Sequence, residues 1–259
     1  MLISFLCGVL PGTIFGLIGV GSGILAILLF SNVLGVPIHL ALPLALLLTL
    51  VASLYTVCQN CKKAPIQKSG LYLIISSAVL MAIFGVYISK FFNAAMLKTI
   101  FNVFIIFSSF MMWPRSKCTN INKDDHITKT RYFMLVMTGA FAGVMNALLG
   151  ISGGIIILPL LTYAGFSINR SVVTSAYVVL FTTIASLIFY FVTQRHILSF
   201  FYQEYIFVIM LVVGCVVGSA IGNKLSYYLP SATLKKIFSI LVFCIAIFSL
   251  FNLFILRYL

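Results

Sequence analysis

The chain has 259 residues, 63% of them hydrophobic and only 7% charged, and its 16 Lys and Arg far outnumber its 3 Asp and Glu. That composition excludes an ordinary soluble domain, because apolar runs of about 20 residues, each able to cross the ~30 Å hydrocarbon layer, recur along it. It also argues against a nucleic-acid partner, since the basic residues fall in the gaps between apolar runs, as in cytoplasmic membrane loops, rather than on one domain face. Met1 to Phe30 carries no Lys or Arg and no clear small-residue cleavage site, so it is read as part of the protein and not as a signal peptide.

In chain order, Leu2 to Leu34 is a first apolar stretch interrupted by Gly19-Val20-Gly21-Ser22-Gly23. Glycine costs a helix about 1 kcal/mol relative to alanine, and serine competes for backbone hydrogen bonds, so the cluster marks a helix break. One continuous helix here would be about 50 Å long, so the segment is either strongly tilted and kinked or folds back as a re-entrant hairpin with its tip at the glycines. Ile38 to Val57, Gly70 to Ser89 and Leu97 to Trp113 follow as ordinary spans. Residues 114–131 form a charged, cytoplasmic linker between a first transmembrane unit, 1–113, and a second, 132–259.

The second unit repeats the first. Gly139, Gly143 and Gly150 match Gly8, Gly12 and Gly19 at an offset of 131, and Gly150-Ile151-Ser152-Gly153-Gly154 matches the first glycine cluster. Spans are expected again at Arg170 to Val192, Phe201 to Gly222 and Leu234 to Leu256, and Lys236-Ile237-Phe238 echoes Lys98-Thr99-Ile100-Phe101. The fold class is an all-α integral membrane protein of two tandem repeats of about four helical segments, the first segment of each broken. Backbone freed at bilayer depth is tolerated only where protein covers it or where it lines a polar cavity, and broken segments at matching places in two repeats point to a secondary transporter. Gly8/Gly12 and Gly139/Gly143, at i, i+4, read instead as helix-packing faces. With neither Gly-x4-Gly-Lys-Ser/Thr nor a dinucleotide Gly-x-Gly-x2-Gly present, ATP does not power transport within this chain.

Two copies of this Gly-x3-Gly, glycine-cluster, proline pattern resemble the TauE/SafE sulfite-exporter-type permeases. The best-matching stretch is Gly139 to Ser175, with Gly150, Gly153, Gly154, Pro159 and the Thr174-Ser175 pair. The resemblance implies a permease for sulfite or small organosulfur or carboxylate anions, in a bacterial inner membrane. The chain departs from the pattern at Ser22 and Ser152, each replacing a glycine, and at Leu28, where the first half lacks its proline.

Half-helix N-termini present free N–H groups to an anion, and hydroxyls add donors. The expected substrate cradle is Gly21, Ser22, Gly23, Ser152, Gly153 and Gly154, with Asn146, Thr174 and Ser175 as side-chain donors; Gly19, Gly150 and Pro159 are assigned to the helix breaks. Asn146 reads equally as an interhelical hydrogen bond, and Ser53 and Ser186 read as helix glue. Glu204, the single carboxylate near a span, is the candidate for proton coupling. No cofactor and no metal are expected: Cys58-Gln59-Asn60-Cys61 has no second pair to complete it, Asp124-Asp125-His126 belongs to a solvated linker, and His39 and His196 fall at segment ends. The competing function is an intramembrane scaffold or enzyme, yet no Ser/His/Asp or Cys/His set emerges.

Lys and Arg bear on topology. If the broken segments are re-entrant and the halves inverted, twelve of the 16 collect on one side, with four (Lys90, Lys98, Arg195, Arg257) opposite, whereas eight full crossings split them ten to six. The stronger bias favours inverted halves with both termini outside.

Overall fold

The computed structural model describes residues 2–19, 21–60, 68–93, 96–97, 99–104, 106, 129–150, 152–163, 166, 168–226 and 228, and among them regular structure is wholly helical. The named helices are α1 (Leu2–Ile18), α2 (Ser22–Leu28, running on as a π-turn over Leu29–Val33), α3 (Ile38–Asn60), α4 (Lys68–Ser89), α5 (Lys129–Leu149), α6 (Gly154–Tyr163), α7 (Ile168–Thr193), α8 (Arg195–Gln203) and α9 (Tyr205–Ser226). Five stretches, Ile38–Gln59, Gly70–Ser89, Tyr132–Leu149, Arg170–Thr193 and Tyr205–Leu225, are long and apolar enough to cross a membrane.

Two expectations need adjusting. The span expected from Phe201 starts at Tyr205, because Phe201 belongs to the short helix α8, which ends where Glu204 leaves helical geometry at φ −103°, ψ 33°. Lys129 and Arg131, placed in the linker, open α5. Of Leu97 to Trp113 only residues up to 106 are described, and they are helical where described; the rest of that span, residues 114–128 and Leu234 to Leu256 lie outside the described residues.

Small residues set the packing. A Cβ on Gly8, Gly12 or Gly16 of α1 would collide with the carbonyl oxygens of Leu211, Cys215 and Ser219 on α9. Gly214, Gly218 and Gly222 of α9 meet Phe5, Val9 and Thr13 in return. Residue numbers climb together on the two helices, so α1 and α9 run parallel with backbones in contact. The same device joins α5 to α4: Gly139 lies on Ile74, Gly143 on Ala78, and Gly85 on Val144 and Ala147. Without a hydrophobic driving force between helices in lipid, close backbone approach is what holds such pairs together.

Buried between the two pairs are α3 and α7, where Leu44, Ala45, Leu48 and Ala52 on one and Ala176, Val178 and Val179 on the other are almost wholly enclosed. Outward-facing Tyr72, Leu80 and Phe84 of α4 and Ile209, Val213 and Val216 of α9 are exposed, as lipid-facing side chains are. Replacing Gly143 with Ala should destabilise the protein by about 1–3 kcal/mol, since backbone rather than a flexible side chain blocks the new methyl. The check is the thermal midpoint of the purified protein in detergent, and an unchanged midpoint would contradict this packing.

Candidate functional site

The two glycine clusters are breaks between helices. α1 stops at Ile18, and Gly19 (φ 75°) and Gly21 (φ 100°) carry the chain through left-handed backbone into α2. α5 stops at Leu149 and Gly150 (φ 58°) turns the chain toward α6. A side chain would be strained at each of these positions. Past the second break the chain doubles back: a Cβ on Gly153 would lie 3.0 Å from the carbonyl oxygen of Ala142, well before the end of α5.

The breaks also meet each other. The Gly21 N–H donates to Ser152 Oγ at 2.7 Å, a buried bond between residues 131 apart. Beside it, Ser22 Oγ lies 3.0 Å from Thr49 Oγ1, and because Thr49 donates to the Ala45 carbonyl at 2.8 Å, Ser22 is the donor between the two hydroxyls. Gly21, Ser22, Gly23, Ser152, Gly153 and Gly154 are all buried. The expected cradle is therefore assembled from both halves, although its Gly21 N–H is already taken by Ser152.

The side-chain candidates divide. Thr174 and Ser175 are buried in the first turns of α7, where their hydroxyls donate to the carbonyls of Arg170 (2.7 Å) and Val172 (2.9 Å). Val172 lies on the first break, with a Cβ on Gly19 only 3.1 Å from its Cγ1. Asn146 donates through Nδ2 to Thr182 Oγ1 (3.2 Å) and Thr183 Oγ1 (3.4 Å), which is the interhelical bond. Ser53 and Ser186 bond within their own helices, to Leu50 and Thr182.

Pro159 sits inside α6 rather than at the break. Glu204 is exposed at the corner between α8 and α9, apart from the buried hydroxyls. His39 is half-buried at the start of α3, His196 belongs to α8, and Cys58 is an exposed free thiol; Cys61, Asp124, Asp125 and His126 lie outside the described residues. No group of three metal-ligating side chains occurs among the described residues.

Thr49, Thr182 and Thr183 were not anticipated from sequence. Their signal is faint: a threonine inside an apolar run usually bonds its own helix, as Thr49 and Thr182 also do here. Among described side chains every buried polar group is a hydroxyl or an amide, with no Lys, Arg, His, Asp or Glu. The site is polar but uncharged, suited to bind through dipoles and N–H or O–H groups.

A family model described as "Sulfite exporter TauE/SafE" matches residues 4–249. The chain is similar to a probable membrane transporter protein of Methanocaldococcus jannaschii, 27% identical over 96% of this chain and 94% of the relative. Two probable membrane transporter proteins of Bacillus subtilis, YdhB and YunE, are 26% and 25% identical over 91% and 92% of this chain and 93% of each relative. No solved structure matches.

Replacing Ser152 with Ala strands the buried Gly21 N–H and should cost about 1–3 kcal/mol of stability. Thermal unfolding in detergent reads this directly, and a Ser152→Ala protein as stable as the parent would show that the bond between the breaks contributes nothing.

Proposed function

Because the chain belongs to the sulfite exporter TauE/SafE family, we propose that it is a secondary transporter for small oxyanions, working by alternating access around the joined helix breaks. The observation that carries this reading is the Gly21–Ser152 bond, which brings two unwound segments from the two halves to one buried, uncharged, hydroxyl-lined place. In this reading Gly21, Ser22, Gly23, Ser152, Gly153 and Gly154 are the cradle, and Asn146 on α5 with Thr174 and Ser175 on α7 are the side chains assigned to it. Sulfite and small sulfonates are the substrates to try first, and a bacterial inner membrane is the setting.

The halves are proposed to be inverted repeats with re-entrant first segments. Three features support this. The central bond joins positions equivalent at the repeat offset of 131. The glycine contacts pair α1 with α9 and α5 with α4, so that the first helix of each half runs alongside the last described long helix of the other. The Tyr190 hydroxyl donates to the Ala147 carbonyl (3.0 Å) and lies 3.2 Å from Ser89 Oγ, gathering the C-terminal ends of α7, α4 and α5. α7 thus runs with α4, whereas Leu46, early in α3, shares one buried cluster with Leu187 and Tyr190 late in α7 and with Ala82 and Val86 late in α4, as expected if α3 runs against both. Opposed halves sharing one site can expose it to either side in turn.

Labelled sulfite should enter or leave proteoliposomes holding the wild-type chain, and Gly153→Val, which forces side-chain atoms against Ala142, should reduce that flux to the empty-vesicle level while the protein still inserts. Equal flux in wild-type and empty vesicles, across sulfite and small sulfonates, would end the transport reading. A reporter fused at the C-terminus should be active outside the cytoplasm and one in the 114–131 linker inside it; a C-terminal reporter active in the cytoplasm would favour eight full crossings instead.

A further inference from the structure

One buried group has an unmet requirement. Asn146 is fully enclosed, and its Oδ1 has no hydrogen-bond partner. The amide orientation is fixed by its neighbour: the Thr182 hydroxyl donates to Val178 and Val179 carbonyls at 2.8 and 3.0 Å, so toward Asn146 it can only accept, and the atom facing it must be Nδ2. The opposite end, Oδ1, is a bare acceptor. Gly139, Gly143 and Ala147 turn their side of α5 to α4. Asn146 stands one turn after Ala142, the residue against which the returning limb lies at Gly153, and its amide reaches α7 at Thr182 and Thr183. A bare carbonyl oxygen at bilayer depth costs free energy that a ligand bearing a donor would recover.

The second observation concerns charge. No cationic side chain is buried among the described residues, and Lys90 and Arg170 are exposed at the ends of α4 and α7. On the helices around Asn146, the titratable group that reaches α5 is the Tyr190 hydroxyl, a neutral donor to Ala147. The solvation lost when an ion enters such a place grows with the square of its charge, so a dianion is penalised far more than a monoanion.

Resting on the transport reading above, we infer that the site takes a singly charged oxyanion that keeps one proton, with Asn146 Oδ1 accepting the hydrogen bond from that proton and the Ser152 hydroxyl and the backbone N–H groups of Gly153 and Gly154, which open α6, holding the charged oxygens. Asn146 thereby selects the protonation state of the substrate. Sulfite is the natural probe, because its second ionisation falls near neutrality and both hydrogensulfite and sulfite can be presented at one total concentration.

In proteoliposomes holding the full chain, with no membrane potential and equal pH on both sides, initial sulfite flux should follow the hydrogensulfite fraction as pH is raised. Methanesulfonate, a monoanion without a proton to give, should compete more weakly than hydrogensulfite by about tenfold, and sulfate should not compete. Asn146→Leu should raise the KM for hydrogensulfite about tenfold while leaving inhibition by methanesulfonate unchanged, a ratio that general loosening of the fold would not alter. Flux that tracks the dianion, competition by sulfate equal to that of sulfite, a strict requirement for sodium in place of the substrate's proton, or equal shifts for both monoanions in Asn146→Leu would each overturn the inference while leaving transport standing. The wild-type pH and competition profiles decide the matter even if Asn146→Leu fails to fold. A wild-type protein that moves no oxyanion at all removes the transport reading and this inference together.

Discussion

The structure depends on one constraint: wherever a helix opens inside a membrane, the freed backbone groups must find partners within the protein. This chain opens two helices and lets each opening serve the other, the Gly21 N–H finding its acceptor in Ser152 across the centre. Glycine makes the turns possible, since Gly19, Gly21 and Gly150 hold left-handed backbone that other residues adopt only under strain. Serine then supplies what glycine cannot, a side-chain oxygen. The serines of the two glycine clusters, Ser22 and Ser152, are both occupied with hydrogen bonds at the breaks.

Holding two interrupted helices in place demands rigid walls, and the glycine ladders provide them. Close parallel contact of α1 with α9 and of α5 with α4 fixes the approach of each broken segment, so the breaks are delivered to one spot by backbone packing rather than by side-chain charge. Among the described residues no Lys, Arg, His, Asp or Glu is buried, so the centre they form is polar and neutral.

Much of this architecture was legible in the residues themselves. Adjacent glycines cannot extend a packing face, so Gly19–Gly23 and Gly150–Gly154 read as breaks, while Gly8/Gly12 and Gly139/Gly143, a helical turn apart, read as faces; the structure places each as read. What escaped were relations that carry no local mark. Nothing near Gly21 says that its partner is Ser152, and nothing near Asn146 distinguishes Thr182 and Thr183 from threonines that bond only their own helix. The end of α8 was hidden for a different reason: Phe200, Phe201 and Tyr202 continue an apolar run into α9, and the polar pair Gln203-Glu204 is too brief to break hydrophobic periodicity.

The asymmetry between the two breaks follows from the same residues. In the first, Ser22 gives its proton to Thr49, whose own proton is committed to Ala45, so that chain of hydroxyls is closed. In the second, Asn146 spends its N–H donors on Thr182 and Thr183 and keeps an acceptor in reserve. An acceptor beside an oxyanion would repel it unless the anion brings a proton, and a proton is what lowers the anion's charge to a level a neutral site can hold. On the proposed reading, the bare amide oxygen and the lack of a buried cation among the described residues meet one requirement, that a small anion enter a neutral site as a singly charged species.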